Sequence, residues 1–121
     1  NMTGALIGTG IPFKDQSYID AYLGMLKSIL KDAAGIRRAG SAALDLAYVA
    51  AGRFDGFWEI GLQQWDMAAG VLLVQEAGGI VTDLVGGNRF METGGIVAAS
   101  PKLHQALLEL IQPHLTDALR A

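Results

Sequence analysis

Phe54-Asp55-Gly56-Phe57-Trp58-Glu59-Ile60 is followed by Gly61-Leu62-Gln63-Gln64 and then by Trp65-Asp66-Met67-Ala68-Ala69-Gly70-Val71-Leu72-Leu73-Val74-Gln75-Glu76-Ala77. The first run, with Phe57 and Trp58 at its centre, suits a strand. The last is long enough for a helix and apolar except for Gln75 and Glu76, which predicts a helix held inside a layered structure. Glu59 ends the strand and Asp66 opens the helix. A strand end and a helix start converge on one crevice, where α/β sheets place ligands. By spacing alone the plainer roles are a helix cap for Asp66 and a solvated strand end for Glu59.

Working upstream, Gly40-Ser41 opens a second helix through Leu44, Ala47, Tyr48 and Ala51 to Gly52. Its one charge before Gly52 is Asp45, so it too is expected to be covered on most sides. Ile36 to Ala39 reads as a short strand. Before it, Ile19, Tyr22, Leu23, Leu26, Ile29 and Leu30 recur at helical spacing, with Asp15 placed to cap that helix. Ala5 to Thr9 is a buried strand ended by Gly10 and Pro12. Downstream, glycine pairs at 78–79, 86–87 and 94–95 separate the β-prone pieces Ile80 to Thr82 and Arg89 to Thr93, with Ile96 to Ala99 beyond them. Ser100-Pro101 starts a last helix, its hydroxyl expected to cap, with a stripe of Leu103, Leu107, Leu110 and Ile111 ended by Pro113. The order β-α-β-α-β-α-β-β-α predicts an α/β class, a layered sheet with covering helices, in one domain over residues 1–121 without a linker.

Composition narrows the function. A hydrophobic share of 51% excludes a disordered segment. Nine basic against twelve acidic residues give a net charge of −3 with no basic block, which argues against a phosphate-tracking nucleic-acid face. The lack of cysteine excludes a disulfide scaffold and a thiol nucleophile. No apolar run approaches the roughly 18 residues of a membrane span, and the expected setting is cytoplasmic. Gly8-Thr9-Gly10 lacks the third glycine of a dinucleotide loop, since position 13 is Phe, and reads as an ordinary turn. Ser41 lacks a nucleophile elbow, since position 39 is Ala, and reads as a cap. His104 and His114 are too far apart for a metal pair on one helix face and are expected at the surface. Asp83 is a turn residue, and Arg37-Arg38 is the one paired positive charge.

Gly40-Ser41-Ala42-Ala43-Leu44-Asp45-Leu46-Ala47-Tyr48-Val49-Ala50-Ala51-Gly52, then Asp55-Gly56-Phe57-Trp58-Glu59, then Trp65-Asp66-Met67-Ala68-Ala69-Gly70 and Glu76-Ala77-Gly78-Gly79, resembles the inositol monophosphatase family, its bacterial branch most. The second family signature is a tryptophan–aspartate pair opening a helix that closes on glutamate, alanine and two glycines. The resemblance runs over nearly the whole chain. It implies Mg2+-dependent hydrolysis of a phosphate monoester, typically myo-inositol 1-phosphate, with lithium as inhibitor and a homodimeric assembly. It assigns Asp66 as a metal ligand, Glu59 to sugar hydroxyls, and Gly40, Ser41 and Ala42 to the substrate lining. Related enzymes cleave other sugar or nucleotide phosphates, and some bacterial members act as RNA- or transcription-factor-associated regulators, a role the charge pattern does not support. The family's first signature, Asp-Pro-x-Asp-Gly-Thr, is absent, as is its earlier metal-binding glutamate. The chain is therefore expected to be the C-terminal half of the family's αβαβα sandwich, with the N-terminal half of the same protein as its partner. Alone it is expected to be inactive and to expose an apolar face.

Overall fold

Alternation along β3 (Gly56–Glu59) explains how one sheet carries two cores. In the computed structural model, which describes residues 2–12 and 16–120, Phe57 and Trp58 are both fully buried but on opposite faces. Successive strand side chains point to opposite sides, so a run of consecutive apolar residues can be buried only when both sides are covered. The sheet has five strands in the order β2-β1-β3-β5-β4. β1 (Leu6–Thr9) pairs in parallel with both β2 (Gly35–Arg37) and β3. β5 (Ile96–Ala99) runs antiparallel to β3 and to β4 (Ile80–Thr82).

One face is covered by α1 (Ile19–Asp32) and α5 (Pro101–Ile111). Tyr22, Met25, Ile29, Leu107 and Ile111 pack there against Ile7, Trp58 and Val97. Tyr22 stacks on Trp58 with ring centroids 5.6 Å apart, and its hydroxyl shares a buried hydrogen bond of 3.1 Å with the Thr9 hydroxyl. The other face is covered by α2 (Ala42–Ala50) and α3 (Gln64–Glu76), whose Leu46, Met67, Val71 and Val74 pack on Phe57, Ile96 and Ala98. These helices approach closely because Gly70 faces Leu46; a Cβ at Gly70 would lie 2.6 Å from that of Leu46.

Several expectations change here. Arg89 to Thr93 is not a strand: α4 (Phe90–Thr93) is one helical turn, closed by Gly94 at φ 76° and bridged by an Arg89–Glu92 ion pair of 3.1 Å. Helix α3 is not enclosed on all sides, since Trp65 is 79% exposed and Leu72 57%. His104 is buried rather than at the surface, bonded at 2.8 Å to the Thr82 hydroxyl, and burial lowers its pKa. His114 is half-buried and bonds the Ser28 hydroxyl at 2.7 Å, fastening the turn after α5 to α1. Ser100 caps α5 without a side-chain bond; the proline at the first turn carries that helix start. Asp83 is the expected turn residue, buried, its carboxylate accepting from the N–H groups of Val85, Gly87 and Arg89. The expected cap Asp15 lies outside the described residues. A final turn, α6 (Asp117–Arg120), ends the fold. No helix among the described residues is long and apolar enough to cross a membrane.

Candidate functional site

The carboxyl ends of β1 and β3 meet the amino ends of α2 and α3, the place where open α/β sheets bind ligands. A cavity of about 150 Å³ opens there, lined by Gly10, Ile11, Arg38, Gly40, Ser41, Ala42, Asp45 and Glu59. Gly40, Ser41, Ala42 and Glu59, singled out from the sequence, thus come together on one small concavity.

Glycines at the end of β1 make the room. Gly8 lies within β1 and Gly10 just past its end. A Cβ at Gly10 would run into the Glu59 carboxylate, and one at Gly8 would lie 2.7 Å from the Phe54 ring and 3.2 Å from Asp45 Oδ1. The Gly8-Thr9-Gly10 stretch, read from sequence as an ordinary turn, is the floor on which two carboxylates rest. On α2, Ser41 is the N-cap: its Oγ accepts from Leu44 N–H at 3.3 Å, which leaves its O–H free to donate into the cavity. Gly40, at φ 83°, turns the chain from β2 into that helix.

Asp66 stands one helix over, in the first turn of α3, outside the residues that line the cavity. Its Oδ2 accepts the Gln63 N–H at 3.0 Å, the carboxylate half of a capping box. Its charge still reaches Glu59. Burial first, then the negative charges of Asp45 and Asp66, push Glu59 from the ordinary 4.5 up to about 7, against the pull of Arg38. Glu59 is therefore not a solvated strand end: it is half-buried in a field of like charge.

Sequence reasoning missed Asp45 as a member of the site. It is 1% exposed, its Oδ1 has no hydrogen-bond partner among the described residues, and burial raises its pKa from 3.8 to about 6 although the Ala39 N–H bonds the carboxylate. The available signal was its position, as the one charge in an otherwise apolar helix. Arg38 of the Arg37-Arg38 pair lines the same cavity. His104 and His114 take no part in it, being engaged by Thr82 and Ser28.

Among the described residues the crevice holds no complete metal centre. No three His, Asp or Glu groups among the described residues come together to hold an ion. The donors present are hard carboxylate oxygens, the chemistry Mg2+ takes, and the mutual repulsion of Glu59, Asp45 and Asp66 is what a nearby cation relieves. Asp66 fits as one ligand, because its cap bond occupies Oδ2 alone.

The sequence profile of the inositol monophosphatase family matches residues 2–116. The chain belongs to the inositol monophosphatase family. Among its relatives, the protein named Nus factor SuhB of Pseudomonas aeruginosa is 58% identical over 99% of this chain and 45% of its own length. The crystal structure of extragenic suppressor protein suhB from Bartonella henselae superposes with a TM-score of 0.89 at 46% identity, covering 94% of this chain and 43% of that one. Inositol monophosphatase from Anabaena gives 0.87 at 37% identity, over 93% and 47%. The expected α/β layered fold is that of these structures, and the chain spans about 45% of the length of the curated relatives it matches.

Proposed function

We propose that this chain is the C-terminal half of a Mg2+-dependent phosphate monoester hydrolase, with myo-inositol 1-phosphate as the substrate that suits it best. The observation that carries the reading is the convergence of Gly40, Ser41, Ala42 and Glu59 on one cavity at the carboxyl end of the sheet. The share of the relatives' length and the bare apolar side of α3 support the absence of a covering half.

In this reading the Glu59 carboxylate accepts from ring hydroxyls of the substrate. The Ser41 hydroxyl and the helix start behind it donate toward the substrate, assisted by the partial positive charge of the α2 N-terminus. Asp66 would hold one Mg2+, and its bond to Gln63 fixes the carboxylate's direction. The ion, when bound, supplies Lewis-acid polarisation of the phosphoryl group and a more acidic water. Asp45 and Asp66 keep the floor of the crevice negative, which attracts cations and places the phosphate, itself anionic, where cations screen it.

A panel assay of the full-length protein tests this. With Mg2+, myo-inositol 1-phosphate should turn over with a higher kcat/KM than fructose bisphosphate or 3′-phosphoadenosine nucleotides. Glu59→Gln should raise KM for the inositol ester by about tenfold, the value of one charged hydrogen bond. Preference for a nucleotide, or an unchanged KM in the variant, contradicts the assignment.

A second reading rests on the relatives named Nus factor SuhB at 52–58% identity. In it the protein binds transcription factors independently of hydrolysis. Retention of elongation factors in a pull-down with both the wild type and Asp66→Asn supports that role; loss with Asp66→Asn ties binding to the metal site.

A further inference from the structure

Helix α1 has two apolar sides, and the core uses one. Tyr22, Met25 and Ile29 are buried against the sheet, while Leu23 and Leu30 are each 52% exposed. Ile19 and Leu26, on the same side as these two, are half-buried. Ile19, Leu23, Leu26 and Leu30 follow one another at steps of four, three and four, the spacing of a seam that packs along another helix. α1 covers the opposite face of the sheet from α3, so a half that covers the bare side of α3 leaves this seam open. One flank of the seam is charged. Asp20, Lys27 and Lys31 are exposed there, and none of them forms an ion pair among the described residues. Lys27 and Lys31 stand one turn apart, a like-charge spacing that destabilises a lone helix. The helix dipole accounts for Asp20 in the first turn and Lys31 in the last, but not for Lys27 between them.

We propose that the outer side of α1 is a self-pairing surface, on which α1 of a second copy of this chain lies antiparallel about a two-fold axis. Charge selects both the occupant and its direction. When Ile19 is set against Leu30 of the second copy, Leu23 falls against its Leu26, and all four apolar layers are filled. The same alignment places Asp20 between Lys27 and Lys31 of the second copy, so each lysine pair gains a carboxylate. A parallel pair would set Asp20 against Asp20 and lysine against lysine. The surface is thus complementary to itself, as a two-fold contact requires. A single helix pair is smaller than the roughly 1,200–2,000 Å² of a standard interface, so the dimer is expected to exchange with monomer at micromolar concentration. The pairing does not depend on what the cavity binds.

Sedimentation equilibrium of the full-length protein, from micromolar to near-millimolar concentration, tests this. The wild type is expected to dimerise. Asp20→Lys gathers three lysines at each end of the seam and is expected to raise the dimer Kd by about tenfold or more. Adding Lys27→Asp and Lys31→Asp to that variant reverses the whole flank and is expected to restore the wild-type Kd, which a merely misfolded chain does not do. Leu23→Gln combined with Leu30→Gln removes the exposed layers and is expected to leave a monomer. A wild type that stays monomeric at every concentration overturns the proposal and leaves the seam to the N-terminal half. An Asp20→Lys Kd equal to that of the wild type overturns it as well, and places the dimer contact on another face. So does a charge-reversed triple variant that associates no better than Asp20→Lys.

Discussion

Asp66→Asn in the full-length protein lowers Mg2+-dependent phosphate release by at least about 100-fold, a loss at the top of the range for groups that only support a metal ligand. The substitution isolates charge from structure. Asp66 accepts the Gln63 N–H through one oxygen, and asparagine retains an acceptor for that bond. The start of α3 therefore persists, and the stability change stays below about 1 kcal/mol. What disappears is a hard anionic donor at the edge of the crevice. A Mg2+ titration of phosphate release, with circular dichroism to check folding, measures the effect. The variant requires more Mg2+ and reaches a lower plateau. An unchanged rate at every Mg2+ concentration would place the ion elsewhere and return Asp66 to the role of a helix cap.

Asp45→Asn makes the metal-free protein more stable above pH 7, by about 3 kcal/mol at most, and makes no difference below pH 4. Folding raises the Asp45 pKa from 3.8 to about 6, chiefly by burial, and that of Glu59 from 4.5 to about 7. Both groups hold a proton more tightly folded than unfolded. Their contribution is complete below the unfolded values near pH 4 and is lost as pH rises through 6 to 7. The wild type accordingly loses stability across that window. The variant loses less, since its neutral amide has no charge to bury and relieves Glu59 as well. Urea unfolding at half-unit steps from pH 4 to 8 shows converging curves at the acid end and separated curves at the alkaline end. Parallel curves, or a less stable variant at pH 8, would mean that the Asp45 charge has a partner that compensates its burial.

Most of the layered order is legible in the sequence because the periodicities are clean. β1, α1, α2, β3, α3, β4, β5 and α5 lie where alternation and helical spacing place them. The failures have physical causes. The sequence around Phe90 and Met91 suits a strand between glycine pairs, yet Arg89–Glu92 pairing and a left-handed Gly94 close a helical turn there. His104 reads as a surface residue although it shares the spacing of Leu107, Leu108 and Ile111, the buried face of α5; a neutral imidazole facing the Thr82 hydroxyl is accommodated there. Both apolar sides of α3 are visible in the sequence, but one strand layer occupies only the side of Met67, Val71 and Val74.

The site divides in the same way. Glu59, Gly40, Ser41 and Ala42 are legible because they sit at strand ends and helix starts within a motif of the family. Gly10 and Gly8 are not, since only three dimensions show which side chains lie over a glycine. Asp45 escapes because a single carboxylate in an apolar helix has the same pattern whether it faces solvent or a buried floor. Nor does spacing reveal that Asp66 stands beside the cavity rather than in its wall.

The central claim is that this chain carries the polyol-facing part of a phosphatase site and one metal ligand, and that catalysis needs carboxylates from outside it. Phosphate release from myo-inositol 1-phosphate, measured with Mg2+ for the purified 121-residue chain and for the full-length protein side by side, tests it most directly. Turnover by the full-length protein together with none by the 121-residue chain is the predicted result. Robust Mg2+-dependent turnover by the 121-residue chain would contradict it.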